Sequence, residues 1–576
     1  MTKQRSLHSS TGRRRFVAGL LAAAAFGLVG RAIYLQVIHD DFLRQQGDAR
    51  HARSVVAPAY RGMILDRNGE PIAVSSPVDS IWADPAELDK AREQIPLLAQ
   101  ALELDAAELT TNLTTWLQDK RRFVYLKRHL PPNIAQGLVN LGIKGIHRQR
   151  EYRRYYPEAE VTAHLLGFTN IDDRGQEGVE LVFDEQLSGT PGLKRVVRDL
   201  RGHTVEELET VREPRPGQDL ALSIDRRIQY YAYRALKSAV LEHRAAGGSL
   251  VAVDPRSGEI LALVNQPAAN PNDRSQRKSA LLRNHAVTDV YELGSTLKPF
   301  VVGLALEQKL VSPNTVIDTR PGYLRLNRRV VKDIHNYGRL TVSQIIQKSS
   351  NVGVSKLALM AGKEKLWRTY AALGFGQPIG IELPGERSGV LSNPKRWNDH
   401  TLATHSFGYG LSLTTLQLAQ AYAVIAADGL KRPLTIVHRN EALPAAQRVF
   451  SARTARQLRK MMEAVVHTGG TAKRAAVNGY QAAGKTGTVH KVINGQYAKD
   501  RYLSVFAGMA PADNPRLVMV VLIDDPEGDA YYGGLVASPV FSDAMGHALR
   551  LLNVVPDDPR TGLLGEIMKT AARTGQ

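Results

Sequence analysis

The sequence predicts an α/β protein of the α+β type: an antiparallel sheet flanked by helices, preceded by a platform domain and one transmembrane helix. Three observations predict it. At 576 residues the chain is too long for one hydrophobic core, so two or three domains are expected. Residues 16–30 form an unbroken run of apolar residues and glycine behind the basic triplet Arg13-Arg14-Arg15. Two strand pairs, 250–253 with 260–264 and 503–507 with 517–523, stand far apart with helical segments between them. Strands at both ends of such a region imply one sheet built from distant parts of the chain, with helices on its faces.

The apolar run by itself is 15 residues, too short to span a bilayer. Continuing through Arg31 to Ile38 gives 23 residues, enough if Arg31 snorkels to the outer interface. The Ala-x-Ala patterns within 22–25 lie inside the run and not after it, so 16–38 reads as an uncleaved signal anchor. The basic residues ahead of it keep 1–15 as a cytoplasmic tail and export the rest.

Residues 39–217 read as the platform domain and its linker. Arg61-Gly62-Met63-Ile64-Leu65 is a strand followed by the Asn68-Gly69 turn, and 86–117 and 132–141 are helical. Ser188-Gly189-Thr190-Pro191-Gly192 is a turn cluster, and residues 212–217 are a linker. No acid–base or ligand constellation lies in this half.

Residues 218–555 form the second domain. Asp225 caps a helix whose apolar residues Ile228, Ala232, Ala235, Leu236, Ala239 and Val240 fall at helical spacing, and Gly247-Gly248 ends it. The two hairpins and an amphipathic helix over 539–552 complete the domain. Residues 556–576 turn polar and are a flexible tail.

Composition excludes several classes. With 43% hydrophobic and 23% charged residues the chain is an ordinary globular protein. It has no cysteine, which removes disulfide scaffolds, thiol catalysis and Cys-ligated zinc and suits an oxidising compartment. The net charge is 75 − 56 = +19, and much of it is local: Lys120-Arg121-Arg122, Lys127-Arg128, Arg148, Arg150, Arg153 and Arg154. No zinc finger, RNA-recognition signature or basic zipper accompanies the excess, so no nucleic acid partner is expected. No cofactor or metal is expected either.

Chemistry concentrates in three short motifs. Ser295-Thr296-Leu297-Lys298 stands just ahead of the apolar run 300–306. On a helix, a lysine three residues after a serine lies on the same face, and a neutral amine there supplies the base that a serine nucleophile needs. A helix N-terminus adds backbone N–H groups that suit an oxyanion. Pro299 is tolerable in the first turn. The same spacing recurs at Ser275/Lys278 in a polar loop and at Ser392/Lys395 across a proline, so these are decoys. The second motif is Ser349-Ser350-Asn351, in which Ser349 can pass a proton and Asn351 can orient an amide. The third is Lys485-Thr486-Gly487-Thr488. Its alternation suits a strand edge along which an extended peptide lies, with a cation and hydroxyls for a carboxylate. No phosphate-loop pattern fits there.

The three motifs in this order resemble the Ser-x-x-Lys, Ser-x-Asn and Lys-Thr-Gly set of penicillin-binding proteins and serine β-lactamases. Arg61-Gly62-Met63-Ile64-Leu65-Asp66-Arg67-Asn68-Gly69, and Gly178-Val179-Glu180 with Leu187-Ser188-Gly189, are similar to the non-catalytic pedestal of class B penicillin-binding proteins. Residues 349–359 are similar to the cell-division (septal, FtsI-type) branch, and the likeness covers roughly residues 10 to 550.

The resemblance implies a penicillin-binding transpeptidase fold and a D,D-transpeptidase that cross-links peptidoglycan stem peptides at the septum and is acylated by β-lactams. It implies that Ser295 attacks the penultimate D-alanine carbonyl, Lys298 takes the serine proton and Ser349 relays one to the leaving amine. The backbone N–H groups of Ser295 and Thr488 would form the oxyanion hole. Lys485, Thr486 and Thr488 would receive the terminal carboxylate, Gly487 would let backbone approach closely, Asn351 would hold the peptide amide, and Tyr409, Tyr502, Tyr531 and Tyr532 would wall the pocket. It further implies a single-pass protein of the bacterial inner membrane with a periplasmic catalytic domain. Divisome proteins, including a SEDS-family glycan polymerase, would be its partners. His490 departs from the pattern, where arginine or lysine is expected. The competing readings are a D,D-carboxypeptidase or β-lactam hydrolase, and a divisome scaffold without catalysis.

Overall fold

The structure, a computed structural model, describes residues 11–38, 52–198, 204–277, 279–439, 443–467, 469–528 and 530–558. Most of the basic tail, the decoy Lys278 and the tail beyond 558 lie outside the described residues. Helix α1, Thr11–Ile33, starts earlier than the apolar run. The segment Gly12–Gln36, 25 residues, is long and apolar enough to cross a membrane, at about 1.5 Å per residue. Its large apolar side chains, Phe16, Phe26 and Leu28 among them, are exposed. A helix with apolar side chains exposed around it fits a lipid surrounding.

The remaining chain divides into two units, between which it passes repeatedly. One takes the residues up to Tyr60, Pro77–Tyr152 and Gly189–Pro216; the other takes Arg61–Ser76, Arg153–Ser188 and the chain from Gly217.

The first unit carries an antiparallel sheet with Gly192–Arg198 between Ala52–Ala57 and Thr204–Arg212. Its small core gathers Leu88, Ile95, Leu98, Leu102, Leu109 and Leu113. The helical stretch expected over 86–117 is broken. Glu103 adopts a left-handed φ of 56° that closes Ile95–Leu102, and Asp105 then caps Ala106–Gln118 by accepting from Glu108 N–H. The expected linker is not free either: Thr190 and Arg215 exchange backbone hydrogen bonds at 2.8 and 2.9 Å. Part of the basic excess is paired with carboxylates. Arg148 and Arg150 pair with the buried Asp79, and Arg128 with Glu151.

In the second unit the two sequence-distant hairpins merge into one sheet. Helix α2, Arg226–Glu242, is capped by Asp225 as expected. Strands β1 (Gly247–Val253) and β2 (Ile260–Gln266) follow it. Gly247 and Gly248 do not end the helix; they open β1. A Cβ on them would stand 2.7 Å from Gln266 O and 2.8 Å from Leu522 O, so neighbouring strands require glycine there.

The chain continues through helix α3 (Lys298–Glu307), the hairpin β3 (Tyr323–Leu326) and β4 (Arg329–Lys332), and helices α4 (Val342–Lys348) and α5 (Asn351–Ala361). Helices α6 (Thr415–Ala426) and α7 (Ala452–Val466) come next. Strands β5 (Ala483–Ile493), β6 (Gln496–Ala510) and β7 (Leu517–Asp524) and helix α8 (Gly533–Leu551) close the domain. Helix α8 begins at Gly533, ahead of the expected residue 539, and carries Pro539 inside it.

The sheet order is β2-β1-β7-β6-β5, antiparallel throughout, with β5 at an edge. Helices α2 and α8 pack on each other and on the sheet, as do α6 and α7. Every residue of α6 is buried. Every residue of β1 and nearly all of β7 are buried too, which is why both read as continuous apolar runs without alternation.

The motif residues around Arg61 meet inside this unit. Glu180 is fully buried, and Arg61 Nε and Arg154 Nε each donate to its carboxylate at 2.6 Å. Arg61 also reaches Asp184 and Ser188. Two guanidinium groups on one buried carboxylate hold three distant segments together. Only Ile64–Leu65 of the expected strand pairs, and Asp66 Oδ1 accepts from Asn68 N–H and Glu70 N–H to form the turn.

Candidate active site

Ser295 lies in a 3-10 turn, Gly294–Leu297, and the α-helix begins at Lys298. The serine therefore precedes the helix by one turn instead of opening it, half-buried, while Lys298 is fully buried. Gly294 has φ 57°, and a Cβ there would meet Val489 Cγ2 at 2.5 Å. The nucleophile turn thus lies directly against β5.

Lys298 Nζ contacts the Ser349 carbonyl at 2.5 Å, Asn351 Oδ1 at 2.7 Å and Ser349 Oγ at 3.1 Å. The first two atoms only accept hydrogen bonds. A neutral amine satisfies both with its two protons and keeps a lone pair for a hydroxyl. Burial, and then the nearby Lys485, push Lys298 well below the ordinary lysine range, while Asp333 acts in the opposite sense.

The Ser349–Asn351 motif sits at the break between two helices. Ser349 ends α4 with φ 61°, a conformation that costs a non-glycine residue about 1–2 kcal/mol. Ser350 caps α5 by accepting from Gly353 N–H. Asn351 Nδ2 donates to Lys332 O at 3.0 Å and retains a second proton.

Lys485 is fully buried in β5, with Nζ 3.1 Å from Thr486 O. Burial lowers its pKa to about 7, so the expected cation titrates near neutrality. Gly487 faces the nucleophile turn, where a Cβ would lie 2.7 Å from Leu293 O and 3.0 Å from Thr296 Cγ2. Thr486 Oγ1 bonds Thr471 Oγ1, and Thr488 Oγ1 accepts from Gly533 N–H while keeping its own proton. β5 pairs only with β6 among the described strands, so its outer edge is available to a further extended segment.

The four tyrosines divide into two groups. Tyr502 stacks on Tyr531 at 4.0 Å and Tyr531 on Tyr532 at 4.5 Å, with His490 against Tyr502 at 4.7 Å. Tyr409 instead packs edge-on to Tyr497, whose hydroxyl donates to Glu292. Sequence reasoning missed Glu292, which also accepts from Gly410 N–H, and Asp333, which grips the second motif. The first stood in plain view next to the nucleophile; the second has no local signal, lying 17 residues before Ser350. The decoys are engaged elsewhere. Ser275 Oγ bonds Asp273 in an exposed turn, and Ser392 Oγ accepts from Trp397 Nε1.

This arrangement, a serine one turn ahead of a buried amine and an edge strand with a second buried lysine, is that of a serine acyltransferase site. Residues 248–546 match the family model of the penicillin-binding protein transpeptidase domain, and residues 56–222 that of the penicillin-binding protein dimerisation domain. The chain belongs to the class B penicillin-binding proteins.

Among its relatives, the peptidoglycan D,D-transpeptidase FtsI of Escherichia coli K12 is 44% identical over 549 residues, covering 94% of this chain and 92% of that protein. The probable peptidoglycan D,D-transpeptidase PbpC of Pseudomonas aeruginosa is 42% identical, covering 95% and 97%. The apo structure of the TP domain of Burkholderia pseudomallei penicillin-binding protein 3 is 43% identical with a TM-score of 0.55, covering 59% of this chain and 98% of that one. A peptidoglycan synthetase structure from Bifidobacterium adolescentis is 26% identical with a TM-score of 0.69, covering 89% and 99%.

Proposed function

We propose that this protein is a serine D,D-transpeptidase that cross-links peptidoglycan stem peptides at the division septum and is acylated by β-lactams. One observation carries the reading: Lys298 is fully buried with Lys485 near it, which disfavours its charged form, three residues from Ser295.

Lys298 takes the Ser295 proton as Oγ attacks the carbonyl of the penultimate D-alanine. The oxyanion forms against the backbone N–H groups of Ser295 and Thr488. Ser349 then passes a proton to the departing amine of the terminal D-alanine, leaving an ester on Ser295. An amine from a neighbouring stem attacks that ester and restores the serine.

The donor peptide lies along the free edge of β5. Its terminal carboxylate meets Lys485, Thr486 and Thr488, and Gly487 lets β5 lie against the nucleophile turn. Asn351 holds the peptide amide, and Tyr409, Tyr502, Tyr531 and Tyr532 wall the pocket. An arriving carboxylate raises the basicity of Lys485, so the lysine becomes the cation when it has a partner.

The chain divides as a cytoplasmic tail (1–15), a membrane anchor (16–38), a pedestal with linker (39–217), a transpeptidase domain (218–555) and a terminal tail (556–576). The anchor helix and the basic residues before it support a single-pass protein of the bacterial inner membrane with its catalytic domain in the periplasm. Kinship to a septal relative supports divisome partners, including a SEDS-family glycan polymerase. Labelling with a fluorescent penicillin tests the assignment. Ser295→Ala abolishes the label with the fold retained, and Ser275→Ala leaves it unchanged; undiminished label on Ser295→Ala sinks the reading.

A further inference from the structure

We propose that Asp333 is a positioning residue of acyl transfer: its carboxylate fixes the Ser349–Asn351 corner against Lys298 and sets a negative charge facing that amine. The inference rests on the transpeptidase reading above.

Asp333 follows β4 directly. One carboxylate oxygen accepts from Asn351 N–H at 2.5 Å and Val352 N–H at 3.0 Å; the other accepts from Ser350 Oγ at 2.7 Å. Its own N–H donates to Gly322 O at 2.9 Å, which ties it to the start of the same hairpin. The preceding Lys332 carbonyl accepts from Asn351 Nδ2. Residues 332 and 333 thus hold the backbone or side chain of 350, 351 and 352.

That grip answers a structural need. Ser349 carries a left-handed backbone that a serine adopts only when its surroundings impose it. The first N–H groups of α5 have no helical partners, and a carboxylate beside them both satisfies them and opposes the positive end of the helix. Ser350 completes the link, accepting from Gly353 N–H and donating to Asp333. Asn351 and Ser349, the two groups that bond Lys298 Nζ, therefore take their positions from Asp333.

Charge supplies an independent argument. Lys298 faces Lys485 from β5, Asp333 from the hairpin, and the neutral Ser349 and Asn351 from the α4–α5 corner. The Tyr337 phenol, raised by burial and then by Asp333, is a further titrating group near that carboxylate. Asp333 opposes the effects of burial and Lys485 on Lys298. Without it the amine becomes a weaker base, and its neutral form persists to lower pH.

The test measures acylation of the full-length, detergent-solubilised protein by a fluorescent penicillin from about pH 5 to about pH 9, where the acid limb reports the amine. Asp333→Asn keeps the shape and removes the charge; it is expected to lower the acylation rate about tenfold and to move the acid limb to lower pH. Asp333→Ala, which also removes the acceptors, is expected to lose about a hundredfold. Asp318→Ala, at the end of the separate strand Val316–Asp318 and paired with Arg320, stays at the parent rate. Should the alanine variant fail to fold in a thermal melt, the isosteric Asp333→Asn decides. An Asp333→Asn protein that acylates at the parent rate, or slows equally at every pH with the acid limb in place, overturns the proposal. Absence of label on the parent protein, or label retained by Ser295→Ala, overturns the transpeptidase reading instead.

Discussion

Two lysines, Lys298 and Lys485, are the largest departures from what a stable core would contain. Both are fully buried, and neither has a carboxylate in hydrogen-bond contact. Lys485 titrates at about 7 in place of its ordinary 10.5 because burial disfavours its charge. Between those values the unfolded chain binds more protons than the folded one, so stability rises with pH through that window and is lower throughout below it. Lys485→Met removes this burden. The variant should melt at a higher temperature than the parent at pH 6, with the gap closing as pH approaches about 10. Its penicillin acylation should fall by about tenfold or more, because the carboxylate loses its cation. Equal melting temperatures at pH 6 would contradict the view that this lysine is held for function against stability.

At the scale of elements, the site exists because an edge strand, a 3-10 turn and a helix break converge. Gly487 allows β5 to lie against the turn that bears Ser295, since any side chain would run into the Leu293 carbonyl. Gly487→Ala should cost about 1–3 kcal/mol by overpacking and displace the strand from the nucleophile. Acylation should drop at least tenfold, whereas Gly495→Ala, at an open turn between β5 and β6, should retain it. A Gly487→Ala protein with parent acylation would show that the strand and turn do not need this approach. The helix break carries a related lesson. Ser349-Ser350-Asn351 is a polar turn between two helices, with Ser350 serving as an ordinary cap; what sets it apart is its contacts, Ser350 and Asn351 with Asp333 and Asn351 with Lys298.

Across the whole molecule, most local signals and the single sheet built from distant hairpins read through, whereas the specific long-range side-chain contacts did not. The two hairpins, the Asp225 cap and the three motifs were legible because each is a pattern within a few residues, and the structure brings the three motif segments into contact. Gly247-Gly248 misled because glycine marks both helix ends and close strand contacts, and only the neighbouring strand β7 tells them apart. Asp333 and the Arg61–Glu180–Arg154 cluster were invisible because their partners lie 17 to 119 residues away. The balance between transfer and hydrolysis is also a property of the whole site. Among the glutamates between the second and third motifs, Glu364, Glu382, Glu386, Glu441 and Glu463, none has asparagine four residues on. Glu382 is bonded to Thr435 and Ile436, Glu386 to the 379–381 backbone, and Glu463 to Lys460 and His467. Glu364 is exposed, and Glu441 lies outside the described residues. Glu292, beside the nucleophile, is committed to Gly410 and Tyr497. Without a glutamate in the Glu-x-x-x-Asn pattern by which a class A β-lactamase activates water, the ester on Ser295 should wait for an amine. The most direct measurement is intact-protein mass over time after mixing with benzylpenicillin, with the labelled peptide sequenced. The account predicts a single adduct on Ser295 that persists for many minutes without appreciable loss of free penicillin. Sustained turnover of penicillin, or an adduct on any other residue, would contradict it.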